Sequence, residues 1–367
     1  MTEEVKSLTT TRAHKLMNYF ANKRDGLLQR KRLLLEFGVR PYFLRPKIKH
    51  IRGPLNIRYG LDELLVISLV RNGELYIRSF IEHYRAIGVK HFVFLDNDST
   101  DRTLELLCAE DEVTVLQTNA PYRKYENTMK RYLAERFSRG KWNLCADIDE
   151  LFDYPFSDSL SLRDLLRYLN HNNYSAVVAQ MLDMFADMPL NELRSKPDDL
   201  LKGKYVYYDI SSIDKEDYLW SECSNPDIKF HWGGIRKLLF ETKTGLTKAP
   251  LVLMDGKVKP FIRWHHAKGA RMADISCVLM HYPFVSSFYA KVEDAARTGR
   301  YGMLVTDEYQ AYARALNGTV TINVKLQSAR PFTGLEPLIE NQFLVVSQKY
   351  RQWVEEHKRA QASLCLN

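Results

Sequence analysis

The chain has few cysteines and never pairs them. Cys108, Cys145, Cys223, Cys277 and Cys365 are odd in number, scattered, and nowhere spaced as C-x-x-C. That excludes a disulfide framework and a cysteine-built zinc site, and it suits a reducing compartment. Proline and glycine are also sparse, 13 and 17 in 367 residues, which excludes collagen-like and low-complexity chains. Apolar runs such as Leu64–Val70 fall far short of the ~20 residues that span a bilayer. The first ten residues are polar and acidic, unlike a secretory signal, so a cytoplasmic location is expected.

What is present is an ordinary globular balance, 45% hydrophobic and 27% charged, enough to build a sizeable core. The net charge of +8 is unevenly placed. Residues 1–60 hold 14 Lys and Arg against 4 Asp and Glu, or +10, which leaves 39 against 41 for the rest. The body is therefore neutral, and no groove-reading motif accompanies the basic segment, so nucleic acid is not an expected partner. Leu27, Leu28, Leu33, Leu34, Leu35 and Phe37 among Arg30, Lys31 and Arg32 predict a short helix with a basic side. Such a helix either packs on the body or is drawn to anionic lipid headgroups at the inner face of a membrane, at ~1 kcal/mol per basic residue.

From residue 64 the pattern becomes strand, helix, strand. Apolar runs at Leu64–Leu69, His91–Leu95, Val113–Leu116 and Trp142–Ala146 read as buried strands. Helical spacing separates them at Glu74–Ile87, Asp101–Cys108 and Tyr125–Phe137. This alternation predicts an α/β fold with a parallel, doubly wound sheet. A further strand is expected at 175–182, helices at 285–316 and 335–361, and no internal repeat is present.

Ligands of open α/β sheets bind at the carboxyl ends of strands. Two acidic clusters fall there: Asp96-Asn97-Asp98-Ser99-Thr100-Asp101 and Asp147-Ile148-Asp149-Glu150. Six carboxylates at one sheet edge repel unless a cation or hydrogen bonds satisfy them. Mg2+ or Mn2+ arriving with substrate phosphates would do so. In an extended segment Asp147 and Asp149 face one ligand while Ile148 points to the core.

Four stretches then carry a resemblance: Val70-Arg71-Asn72-Gly73-Glu74, Ile81 to Gly88, Val93 to Thr103, and Asp147 to Glu150. In order and spacing they resemble the GT-A-fold glycosyltransferases of the family-2 kind, in particular the bacterial branch with a D-x-D-E motif. His231 to Arg236, Lys248 to Leu251, His265-His266 and Ala273 to Tyr282 match the same branch more loosely. Gly73 departs from the pattern, which often runs Asn-Glu directly.

The resemblance implies a GT-A-type, mostly parallel sheet with helices on both faces, a basic N-terminal extension (1–60) and a helical C-terminal region (301–367). Between them, 61–180 would form the nucleotide-sugar-binding half and 181–300 the acceptor-side, metal-completing half. The implied activity is sugar transfer from a UDP- or GDP-linked donor to a hydroxyl of a glycan or lipid-linked acceptor, with a divalent metal and with inversion expected. Donor contacts fall to Asn72, Glu74, Asp96, Asp98 and Asp147, although Asp98 and Asp101 equally suit helix capping. Asp149 is the implied metal ligand, with His281 as its partner and His265 or His266 as substitutes. Asp183 is the implied catalytic base, ahead of Asp187 and Glu222, and Arg236 or Lys237 would neutralise the leaving diphosphate. Two other activities fit the residues less well. A nucleotidyltransferase would carry an early glycine-rich phosphate loop, which is missing. A haloacid-dehalogenase-like phosphatase would carry its Asp pair on the first strand. An inactive carbohydrate-binding scaffold of the same fold is a third class, opposed by the intact Asp147 and Asp149.

Overall fold

The computed structural model describes residues 34–194, 200–261, 266–299, 301, 303–318 and 321–364. The chain forms two compact units, Met1–Lys47 and Ile48–Asn367. In the first, a π-helical turn at Leu35–Val39 leads into helix Arg40–Leu44 and a 3-10 turn at Arg45–Lys47. Pro41 sits in the first turn of that helix, where its missing N–H costs nothing. Tyr42 and Phe43 are exposed there. Most of the basic helix expected over Leu27 to Phe37 lies outside the described residues.

The second unit is a mixed α/β fold around a twelve-stranded sheet. Its first half is the expected parallel array. Strand Leu65–Val70 is buried at every position and lies between His91–Asp96 and Trp142–Cys145, parallel to both. Val113–Gln117 follows His91–Asp96, again parallel. Helix Tyr122–Phe137 packs over three of these strands, using Met129, Leu133 and Phe137. Helix Glu74–Ala86 buries Tyr76, Ile77, Phe80, Ile81 and Tyr84, the 3–4 spacing of an amphipathic face.

Beyond Trp142–Cys145 the sheet changes direction. Thr247–Leu253 runs antiparallel to both Trp142–Cys145 and Ala176–Phe185. Arg271–His281 then runs parallel to Ala176–Phe185. At the other edge, Lys49–Arg52 pairs antiparallel with Val113–Gln117. The last part of the expected basic extension therefore belongs to the sheet. The expected C-terminal helices form as Phe288–Thr298, Met303–Gly318, Glu336–Glu340 and Gln348–Leu364. Among the described residues no helix is long and apolar enough to cross a membrane.

Candidate active site

The Asp147–Glu150 segment leaves strand Trp142–Cys145 and enters strand Glu150–Asp153, which pairs antiparallel with the end of Arg271–His281. Two side chains of helix Glu74–Ala86 fix this crossing. The Tyr84 hydroxyl donates to Glu150 O at 3.0 Å and accepts from Phe152 N at 2.9 Å. His83 Nε2 donates to Phe152 O at 2.7 Å. Gly73 lies under the motif: a Cβ there would stand 2.5 Å from Val70 Cγ2 and 3.3 Å from Ile148 Cγ1. The departure at Gly73 thus has a packing reason, and Ile148 packs inward between its two acids.

Each acid of the motif faces a cation. Asp147 Oδ1 lies 2.8 Å from Lys130 Nζ, and its Oδ2 lies 3.0 Å from Lys248 Nζ. Lys248 also holds Glu150, and Lys130 reaches Glu126 at 3.2 Å. Asp149 Oδ2 lies 2.9 Å from Lys291 Nζ. Burial alone lowers the Lys130 and Lys248 ammonium pKa values, but Asp147 and its neighbouring acids reverse this and leave both raised. Burial alone raises the Asp149 carboxyl, yet Lys291 and His281 outweigh it and hold Asp149 below the ordinary range.

Lys248 is placed by an irregularity. Thr247 and Lys248 pair with Gln180 and Ala179, while Leu251 and Val252 pair with Val177 and Ala176. Ala249 and Pro250 therefore oppose the single residue Val178, a β-bulge. Pro250 has no N–H to give the ladder, and bulges are where a central strand tolerates proline. Bulges also re-aim neighbouring side chains, and here the neighbour is the lysine that holds Asp147 and Glu150.

His281 comes to Asp149 as expected. It ends its strand opposite Asp183 on one side and Glu150 on the other. Its Nδ1 lies 2.7 Å from Asp183 Oδ1, and its Nε2 lies 3.8 Å from Asp149 Oδ2. An ionised carboxylate only accepts, so Nδ1 donates to Asp183 Oδ1, which leaves Nε2 as the ring nitrogen turned toward Asp149. Asp183, expected as a general base, is buried with both oxygens engaged, Oδ1 by His281 Nδ1 and Oδ2 by Arg236 Nε at 2.8 Å. Burial would raise its carboxyl, but Arg236 and His281 bring it below the ordinary range. In this arrangement its contact orients the His281 ring. Arg236, which also meets Glu308 at 3.1 Å, is held by this pair of acids.

The other expected residues divide. Asp96 ends strand His91–Asp96 fully buried; its Oδ2 accepts from Gln117 Nε2 at 3.1 Å and Ser99 N at 3.3 Å. Its Oδ1 is buried with no hydrogen-bond partner among the described residues. Asn72 and Glu74 are spent on tying two loops together. Asn72 Oδ1 accepts from Thr100 N at 2.9 Å, and Glu74 Oε2 accepts from Arg102 N at 3.2 Å. Asp101 reciprocates by accepting from Glu74 N and Thr103 N, the helix-capping alternative. Asp98 is exposed at a left-handed turn position, φ 63°.

His266 is not brought to Asp149. Its ring is stacked on Trp220, with centroids 4.6 Å apart, and its Nδ1 lies 3.2 Å from the Tyr218 hydroxyl. His265 lies outside the described residues. Glu222 pairs with Arg271, ten residues up the strand from His281 and so on the order of 30 Å away along it. Asp187 is paired with Lys325, and Lys237 with Asp214.

The lysines are what the sequence reading missed, and they left a signal. Lys130 lies one turn from Leu133 and Ala134 on the buried face of its helix. Lys291 lies one turn from Phe288 and Ala295, also buried. A lysine on an apolar face needs a counter-ion, and the unpaired acids of the motif were the obvious candidates.

For a divalent ion, the donor set offers Asp149 Oδ2 and an oriented His281 Nε2. Among the described residues no group of three or more His, Cys, Asp or Glu forms a metal cage. Two protein donors fit an ion such as Mg2+ or Mn2+, which takes its other ligands from water and substrate phosphates. Imidazole suits Mn2+ better than Mg2+.

No family model matches the chain, and no curated protein matches it. Solved structures that align with part of it include S. aureus TarS residues 1–349, at 16% identity and a TM-score of 0.25 over 37% of this chain and 45% of that one. A second S. aureus TarS structure aligns at 17% identity, TM-score 0.26, over 37% of this chain and 27% of that one. 4-diphosphocytidyl-2C-methyl-D-erythritol synthase aligns at 13% identity, TM-score 0.23, over 34% and 63%. The chain thus spans less than half the length of either TarS structure.

Proposed function

We propose that the chain is a glycosyltransferase that moves a sugar from a UDP- or GDP-linked donor to a hydroxyl of a glycan or lipid-linked acceptor. The observation that carries this reading is the placement of Asp96 and Asp147. They leave the carboxyl ends of two parallel strands that flank Leu65–Val70. Two strand spacings put them ~10 Å apart, a span that a nucleoside can bridge. The unpartnered Asp96 Oδ1 suits a base or ribose donor group at one end. The lysine-held Asp147 suits the ribose and diphosphate at the other.

Asp149 and His281 would hold the divalent ion, which when bound would neutralise the leaving diphosphate. Asp183 fixes the His281 tautomer and ring. Lys130 and Lys248 keep the Asp147 carboxylate in one place and offset most of the negative charge of Glu126, Asp147 and Glu150 beside the phosphates. Tyr84 and Gly73 hold the backbone that presents these acids.

The test is a panel of UDP- and GDP-sugars with Mn2+, scored by thermal shift and by slow donor hydrolysis. One nucleotide sugar should raise the melting temperature and be hydrolysed to the nucleoside diphosphate. If only nucleoside triphosphates bind and pyrophosphate is released, the activity is nucleotidyl transfer and the reading fails.

A further inference from the structure

The three lysines of the site are not equivalent. Lys130 bridges two acids, Glu126 and Asp147, and its side chain is 1% exposed. Lys248 bridges Asp147 and Glu150 and is 11% exposed. Lys291 pairs with one carboxylate among the described residues, Asp149, and is 29% exposed. Of the three it has the fewest carboxylate partners and the most exposed side chain.

Its position is also particular. The Asp149 oxygen that meets Lys291 is the one turned toward His281 Nε2. The ammonium therefore occupies the open side of the very oxygen that would ligate a divalent ion. A +1 and a +2 charge cannot share one carboxylate oxygen at contact distance, because their repulsion is strong even at the effective dielectric of a protein cleft. A lysine ammonium sits on a flexible four-carbon stem and moves without disturbing its helix. Helix Phe288–Thr298 is anchored by Phe288, Val292 and Ala295, so the stem pivots on a fixed base. Besides Asp149 and His281, the titratable groups close to it are Tyr309, Tyr76 and Tyr301, none of which is a competing anion near neutral pH.

We propose that Lys291 is a tethered substitute for the divalent ion: it occupies Asp149 when the ion is absent, and the ion must displace it to bind. This rests on the reading of Asp149 and His281 as the ion's holders. The displaced ammonium stays within reach of the same cleft, where the incoming anion is a diphosphate. The lysine thus keeps Asp149 neutralised in the resting protein and sets the ion concentration at which the site loads.

The experiment measures Mn2+ binding to the full chain by electron paramagnetic resonance of the free ion, without any donor. Wild type is compared with Lys291→Met, Lys291→Arg and Asp149→Asn, each checked by circular dichroism. Lys291→Met should bind Mn2+ at least about tenfold more tightly, equivalent to ~1.4 kcal/mol. Lys291→Arg, which keeps the charge, should stay near wild type, and Asp149→Asn should lose binding. If Asp149→Asn loses binding while Lys291→Met binds no more tightly than wild type, the lysine proposal is overturned and the metal reading stands. If Asp149→Asn binds as wild type does, the metal reading itself fails. Absence of binding in every variant overturns both. Should Lys291→Met not fold, Lys291→Gln removes the same charge with a polar side chain and carries the same expectation.

Discussion

His281 and Asp183 lie opposite each other at the ends of two parallel strands, and the imidazole Nδ1 is 2.7 Å from the carboxylate. This pair turns a carboxylate that resembled a base into the group that aims a histidine. Asp183→Asn tests it. Groups that orient a metal-bound histidine typically contribute 10–100-fold to metal affinity, so Mn2+ binding by calorimetry should weaken by about that factor. The fold should also lose roughly 1.5–3 kcal/mol, because Arg236 keeps Glu308 but exchanges its charged Asp183 partner for a neutral one. Turnover lost with Mn2+ affinity intact would instead return Asp183 to the role of base.

Asp96→Asn keeps the shape of the side chain and removes its charge. Since Asp96 Oδ1 has no partner to lose within the described protein, stability should change little. Nucleoside diphosphate affinity should fall by ~1.5–3 kcal/mol, the range for a hydrogen bond to a charged group. Equal affinity in the two proteins would remove Asp96 from the donor site.

Gly73→Ala should destabilise the protein by ~1–3 kcal/mol in urea titration, the usual range for forced overpacking. The added methyl meets Val70 at 2.5 Å and presses on Ile148 at 3.3 Å. Ile148 carries an acid on either side, so nucleotide affinity should drop as well. A neutral substitution would mean that the two loops part easily.

Three buried histidines predict an acid-sensitive fold. Burial lowers His83 and His231 to about 3 and His91 to about 4, against an ordinary value of 6.5. Above pH ~6.5 these groups are neutral in both states and cost nothing. As pH falls below that, the unfolded chain takes up protons that the folded chain refuses, so stability declines toward pH 3–4. The lowered carboxyls of Asp149 and Asp183 add to the loss only below their ordinary value of 3.8. Urea titrations at pH 7, 6, 5 and 4 should show this, and His83→Gln should flatten the upper part of the curve. Constant stability from pH 7 to 5 would contradict it.

Deleting residues 1–47 should leave the second unit folded, because the sheet begins at Lys49. Binding to anionic vesicles should weaken, and what wild-type binding there is should fall with salt, as the Debye length is only ~8 Å at physiological ionic strength. Co-sedimentation at two salt concentrations measures it. Loss of the fold on deletion would favour a packing role.

The parallel half of the sheet was legible because each of its strands is a short run buried on both faces, bounded by turn residues. Asp147 and Asp149 were legible because they follow such a run directly, with Ile148 between them. The apolar stretch Cys277 to Met280 likewise lies in a buried strand, Arg271–His281, which delivers His281. The antiparallel insertion of Thr247–Leu253 was not legible, since Lys248 and Pro250 break the apolar run that marks a central strand. The surroundings of Asp183 were not legible for a related reason. Its two partners, Arg236 and His281, lie 53 and 98 residues away along the chain, and no local pattern reports on such distant pairs.

The bulge at Ala249 and Pro250 has a further consequence, for strand phase. Side chains alternate faces along a strand, so one extra residue reverses the alternation between its two ends. Removing Ala249 would restore regular pairing with Ala176–Phe185 and turn either Lys248 or the Leu251–Leu253 stretch to the opposite side of the sheet. A chain shortened in this way would keep every acid of the motif, and would either lose the ammonium that joins Asp147 to Glu150 or turn the apolar Leu251–Leu253 face out of its packing. The length of this strand therefore constrains the site as firmly as its composition does, and a one-residue deletion here should be more damaging than most substitutions nearby.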